Sequence, residues 1–144
     1  MKLSTKGRYG IKAMVDLALH YGMEPVSIKS ISKRQNISEY YLEQLFSNLR
    51  KANLIKSVRG AQGGYSLEKT PSETSIFEIM EILEGPIVIS ECIELGNCSN
   101  TDCCATRLLW VKIKDSIDCV MKSTSLQDMV DDNNNMQKGV INNE

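Results

Sequence analysis

The sequence predicts a mainly α fold with one small β-hairpin, and three observations carry that prediction. Four segments place apolar residues three and four positions apart, the spacing of one helix face. Two short segments of strand character flank the run Arg59-Gly60-Ala61-Gln62-Gly63-Gly64, whose three glycines suit a protruding turn. Ser27 and Ser38 stand immediately before two of the helical segments, where a side-chain oxygen can cap unpaired N–H groups. At 144 residues, with 42% apolar and 24% charged side chains, the chain fits one ordinary domain, or a small domain plus an appendage.

The first helix is expected over residues 5–21, with Met14, Leu17, Ala18 and Tyr21 on one face. Ser27 opens a short second helix carrying Ile28 and Ile31, which Asn36 ends. Ile37 follows, then Ser38 caps a third helix with Glu39 in its first turn, where an acid complements the helix dipole. Leu42, Leu45, Phe46 and Leu49 form its apolar stripe to about residue 53. Residues 54–58 alternate as a strand and pair with residues 65–67. Two short helices joined by a tight turn, then a Gly-rich hairpin with Arg59 at its tip, are the pattern of a winged helix-turn-helix.

A fourth helix over residues 75–84 carries Ile76, Ile79, Met80 and Leu83 and stops at Gly85-Pro86. Residues 91–104, rich in Cys, Asn, Ser, Gly and Thr, read as a loop. A longer helix from Ala105 to about Ser123 spaces Trp110, Ile113, Ile117 and Val120 as a seam for another helix. Such a seam, far from the domain core, implies a homodimer, with folding back onto its own domain as the alternative. The expected division is a winged helix-turn-helix DNA-binding domain (1–85), a cysteine-bearing loop (86–104), a dimerisation-helix region (105–130) and a disordered polar tail (131–144). No apolar run is long enough to cross a membrane and the start lacks a signal-peptide stretch, so a cytoplasmic location is expected.

Charge is divided unevenly. Through Gly60 there are eleven Lys and Arg against four acids, a net +7; from Ala61 onward six against fourteen give −8. That division suggests that only the front half meets a polyanion, Lys and Arg that merely solvate helix faces being the alternative. Ser38, Tyr40, Tyr41, Glu43 and Gln44 lie in the first turns of the third helix, the part that enters a major groove first. Gln44 suits an adenine edge, whereas Glu43 accepts from a cytosine amino group while repelling phosphates, which makes it a discriminator. Lys2, Lys6, Arg8, Arg50 and Lys51 suit backbone phosphates, and Arg59 on the wing suits a narrow minor groove. Plain capping by Ser38 and packing by the two tyrosines are the structural alternatives.

Cys92, Cys98 and Cys104, each separated by five residues, place three soft thiolates on one short segment. Thiolate ligates iron–sulfur clusters and zinc alike, so cluster, zinc and redox-active or inert thiols all stay open on spacing. A thiol oxidoreductase is disfavoured, since there is no C-x-x-C and the single histidine, His20, is remote in sequence from every cysteine. His20 and Cys119 read as structural residues.

MKLSTKGRYG, the block SEYYLEQLFSNLRKANLIKSVRGAQGGY and the cysteine triplet together resemble the IscR-type iron–sulfur regulators of bacterial transcription, across about residues 1–130. The resemblance implies a dimeric winged-helix regulator, a repressor, that binds palindromic double-stranded promoter DNA. It implies a cluster on Cys92, Cys98 and Cys104, [2Fe–2S] ahead of [4Fe–4S], labile enough to be lost in air. That family's best-known members place a histidine ligand three positions after the third cysteine; here Arg107 stands there and cannot ligate. Cys103, Asp102, Glu91, Glu94 or a carboxylate of the second copy are the candidates for the fourth position. The chain also resembles the cluster-free CymR-type regulators of cysteine metabolism, controlled by a partner enzyme, including ILEGPI at 82–87. The cysteine loop ranks that branch second.

Overall fold

The computed structural model describes residues 3–94, 96 and 104–142. Helix α1 (Thr5–Leu19) starts at Ser4, whose Oγ accepts from the Gly7 N–H at 3.4 Å. Met14, Leu17 and Ala18 are buried on its inner face. Tyr21 departs from expectation: the helix stops at Leu19, and Tyr21 lies beyond it, 47% exposed.

Helix α2 (Ile28–Gln35) is capped by Ser27 on the Ser30 N–H (3.2 Å) and closed by Asn36 in the left-handed region (φ 54°). Asparagine tolerates that conformation. The chain thereby turns through the buried Ile37 and reaches Ser38, whose Oγ accepts from Tyr41 N–H at 3.2 Å and opens α3 (Glu39–Lys51). Leu42, Leu45, Phe46 and Leu49 are all buried, so the expected stripe is the face that binds α3 to the core.

Strands β1 (Ile55–Val58) and β2 (Gly64–Leu67) pair antiparallel, Ile55 opposite Leu67 and Val58 opposite Gly64. The wing is fastened at its base. Val26 and Tyr65 exchange both backbone hydrogen bonds at 2.8 Å, and Phe46 meets the Tyr65 ring edge-on at 4.9 Å. Gly64 permits this approach, because a Cβ there would lie 2.4 Å from the Val26 carbonyl oxygen.

After a 3-10 turn (Pro71–Glu73), a capping box starts α4 (Ile76–Glu84): Glu78 Oε2 accepts from Ser75 N–H at 2.9 Å, and Ser75 Oγ accepts from Glu78 N–H at 3.2 Å. Ile76, Ile79, Met80 and Leu83 complete the core against α1 and α3. The segment expected as loop contains a one-turn helix, α5 (Glu91–Glu94), before the long helix α6 (Ala105–Ser123).

Two expectations are corrected beyond that point. The tail expected to be disordered is helical: α7 runs Leu126–Asn142. Ser125 N–H donates to Asp128 Oδ2 at 2.8 Å and Ser125 Oγ accepts from Asp128 N–H at 3.1 Å, which caps its start. Leu126 is fully buried, and Met129 and Val130 pack on the core. The boundary at 130 therefore falls inside a helix rather than between units. The α6 seam is also divided. Trp110, Ile113 and Ile117 are half-buried, Ile117 lining a cavity with Met80, while Val120 is 64% exposed; beside the seam, Met121 packs on the domain core and Leu108 and Leu109 are exposed.

Candidate nucleic-acid interface and thiol segment

The outer face of α3 is polar because its inner face is spent on the core. Glu43 and Gln44 are exposed, and Tyr40 stands 72% exposed at the helix start. Tyr41 is half-buried, its ring edge-on to Tyr9 with centroids 6.0 Å apart, so it packs α3 onto α1 as well as bordering the surface. Ser38 is exposed and occupied in capping. Lys6 of α1 shares a groove of about 330 Å³ with Tyr41, Gln44, Ser47 and Asn48. Ser47 and Asn48 were not singled out from sequence, although Asn48 stands one helical turn beyond Gln44 and on the same face.

Arg50 and Lys51 end α3, exposed, where their charge complements the carboxyl end of the helix dipole. Arg8 is exposed on α1, and Arg59 is exposed at the start of the wing loop. Lys2 lies outside the described residues. The structure thus brings Lys6, Tyr41, Gln44 and Asn48 together, with Arg50 at one end of α3 and Arg59 on the adjoining hairpin.

One residue that holds this surface was missed. Asp16 of α1 is 1% exposed, yet it is charged. Its Oδ2 accepts from Arg34 Nε at 2.9 Å and Gln35 Nε2 at 3.0 Å, and its Oδ1 accepts from Arg34 Nη2 at 2.8 Å. Burial pushes its carboxyl up. Hydrogen bonds from Arg34 and Gln35, with the charges of Arg34 and His20, outweigh burial and hold it below the usual carboxylate value. His20 Nδ1–H donates to the Asp16 carbonyl at 2.7 Å. A bidentate arginine–carboxylate pair fixes both distance and angle, so α2, and α3 beyond its tight turn, are set against α1. No sequence pattern marks Asp16, because one acid on a helix reads as a solvated one.

Two of the three segment thiols lie among the described residues. Cys92 is half-buried on α5, its Sγ 3.0 Å from Ser90 Oγ. Cys104 is half-buried at the N-cap position of α6. The Thr106 hydroxyl at 3.0 Å, the backbone N–H groups of Arg107 and Thr106 and the Arg107 charge hold its thiol below the ordinary value. Among the described residues, Arg107 Nε is buried without a hydrogen-bond partner. Glu94, a candidate for the fourth position, lies 3.9 Å from Lys114 Nζ. Cys98, Asp102 and Cys103 lie outside the described residues. Cys119 is exposed on α6. No helix among the described residues is long and apolar enough to cross a membrane.

Comparison with known proteins adds a family. Residues 3–132 match the Rrf2 family, described as an iron-dependent transcriptional regulator. The chain is 46% identical over 129 residues to the HTH-type transcriptional regulator CymR of Bacillus subtilis, covering 90% of this chain and 89% of that protein. Superposed on the structure of that global cysteine regulator, it gives a TM-score of 0.81, covering 91% of this chain and 97% of the other. The HTH-type transcriptional regulator IscR of Photorhabdus laumondii is 43% identical over 130 residues, covering 90% and 79%. The structure of T. potens IscR gives a TM-score of 0.77 at 48% identity, covering 92% and 88%.

Proposed function

The chain belongs to the Rrf2 family of transcriptional regulators, and from that premise we propose that it is a dimeric repressor of palindromic promoter DNA that reports iron–sulfur status through Cys92, Cys98 and Cys104. The observation that carries the DNA reading is the polar outer face of α3, with Lys6 of α1 beside Gln44 and Asn48. Placed in a major groove, the Gln44 amide pairs with an adenine edge, and Glu43 accepts from a cytosine amino group and rejects other bases. Arg50, Lys51, Lys6 and Lys2 meet phosphates, which fix register without reading sequence. Arg59 reaches the minor groove from the wing. Two copies joined through Leu108, Leu109 and Val120 of α6 present two α3 helices to successive half-sites, about 34 Å apart.

The donor chemistry of the segment fits a cluster. Its described thiols are half-buried, and Cys104 sits where hydroxyl, amides and guanidinium stabilise a thiolate. When bound, a cluster supplies an oxidation-sensitive anionic centre that ties distant thiolates together. The chain's own part is to hold Cys104 ready at the start of α6, with the Arg107 backbone N–H and charge acting on its thiol. Order in the segment changes DNA affinity only as far as the two conformations bind DNA differently.

Anaerobic purification, with the visible spectrum, iron and sulfide content and duplex affinity before and after chelation, tests this reading. Coloured protein whose affinity changes on chelation is the expected result. Colourless, iron-free protein with unchanged affinity would overturn it. The 46% identity to B. subtilis CymR favours, as the second reading, a cluster-free regulator of cysteine metabolism governed by a protein partner.

A further inference from the structure

We propose that Glu84 is a positioning residue for duplex binding: its carboxylate fastens the first turn of α1, and Lys6 with it, to the start of the cysteine-bearing segment. This relay rests on the cluster-sensing reading of that segment. Glu84 is the last residue of α4. Its Oε1 accepts from Ser4 Oγ–H and from Gly7 N–H, the latter at 3.0 Å, so an anion from the far end of one helix closes the positive end of another. Position 7 is shaped for this contact, since a Cβ there would lie 2.6 Å from that same oxygen and 3.1 Å from the Met80 side chain. Only glycine lets the carboxylate reach the amide.

Each side of the contact leads to a functional surface. On one side, Lys6 stands between Ser4 and Gly7, and it lines the groove with Tyr41, Gln44 and Asn48. On the other, Gly85, Pro86 and Ile87 follow Glu84 directly, and Cys92 stands eight positions further on. Leu3 shares a cavity of about 470 Å³ with Glu84, Pro86, Ile87, Val88 and Ile117 of α6. The amino-terminal arm, the segment and α6 therefore border one space. A shift of the segment moves Glu84, and Glu84 carries two of the hydrogen bonds that order the turn bearing Lys6. Both conformations of the segment then differ in how they present Lys6 to a phosphate, the differential contact that coupling requires.

The test compares wild type, Glu84→Ala and Glu84→Gln as full chains, each chelator-treated and each reconstituted anaerobically with iron and sulfide. The probe is a duplex that the wild type selects from a random-sequence pool. Visible absorption reports loading, thermal melting reports folding, and amide exchange reports protection at Gly7. Expected are equal loading in all three chains and a wild-type affinity ratio between states of about fivefold or more. That ratio should fall to within about twofold of unity in Glu84→Ala, with Gly7 exchange faster. Glu84→Gln, whose amide oxygen still accepts, should recover most of the ratio. A merely structural role would lower the melting temperature and leave the ratio alone. If folded, loaded Glu84→Ala keeps the wild-type ratio, the relay is wrong and the sensing reading stands. If the wild type itself shows equal affinity in both states, the sensing reading fails and takes the relay with it.

Discussion

Replacing Asp16 by Asn tests the buried pair that sets α2 and α3 against α1. The carboxylate accepts two hydrogen bonds from Arg34 and one from Gln35, at 2.8–3.0 Å, from a site that is 1% exposed. Asparagine keeps one acceptor oxygen, loses the charge and turns an amide N–H₂ toward donors. Breaking a fully buried pair costs about 3–5 kcal/mol. Here the Arg34 side chain is 40% exposed and regains water, so about 2 kcal/mol is the better figure. For a chain of this size that corresponds to a melting temperature lower by about 5–10 °C. Acid dependence gives a second reading. The folded-state pKa of Asp16 lies below its ordinary value of 3.8, so the unfolded chain binds more protons between the two. The contribution of the pair is complete above the unfolded value and disappears as pH falls through the folded one. Urea unfolding followed by circular dichroism, at fixed protein concentration from pH 7 to pH 3, should show the wild type losing stability faster, so that the two chains converge in acid. Equal urea midpoints at pH 7, or parallel acid limbs, would refute the reasoning.

Four further outcomes are expected. Gln44→Ala should weaken the selected duplex by about 1–3 kcal/mol and leave random duplex unaffected, whereas Glu43→Ala should tighten random duplex and blur selectivity, both read by competition binding. Arg59→Ala should lower the slope of log affinity against log salt by about 1.8 for a dimer, about 0.9 per copy, read by titration across salt; an unchanged slope would remove Arg59 from the interface. Gly64→Ala, whose Cβ would meet the Val26 carbonyl at 2.4 Å, should destabilise the chain by about 1–3 kcal/mol in chemical melts, because backbone must move.

Where local chemistry decides structure, sequence reading succeeds here. Ser27, Asn36 and Ser38 each act on backbone groups three or four positions away, and the two short helices stand where those residues put them. Residues whose role depends on a partner distant in the chain were illegible. Asp16 is satisfied by Arg34 and Gln35, eighteen and nineteen positions on, and nothing in its own neighbourhood announces burial. Helix α7 was obscured differently. Its anchors, Leu126, Met129 and Val130, precede the polar run and hold the helix against the core, while the run itself has a disordered composition. The Ser125 and Asp128 capping pair was the available signal. Gln44 and Glu43 were legible as exposed polar positions on an amphipathic helix, but Asn48 needed the placement of Lys6 to join Gln44 in the groove.

The junction between α6 and α7 has a mechanical consequence. Ile76 N–H donates to the Thr124 carbonyl and Leu126 N–H to the Thr74 carbonyl, both at 2.9 Å, and the Lys122 ammonium lies 4.6 Å from the centre of the Phe77 ring. The carboxyl end of α6 is pinned to the body, and its nineteen residues form a rod of about 28 Å at 1.5 Å per residue. Pivoting there by about 2° carries the sulfur-bearing tip through about 1 Å, by that same length. Read in reverse, an ångström-scale pull at Cys104 arrives at the fulcrum as a small torque on the base of α4.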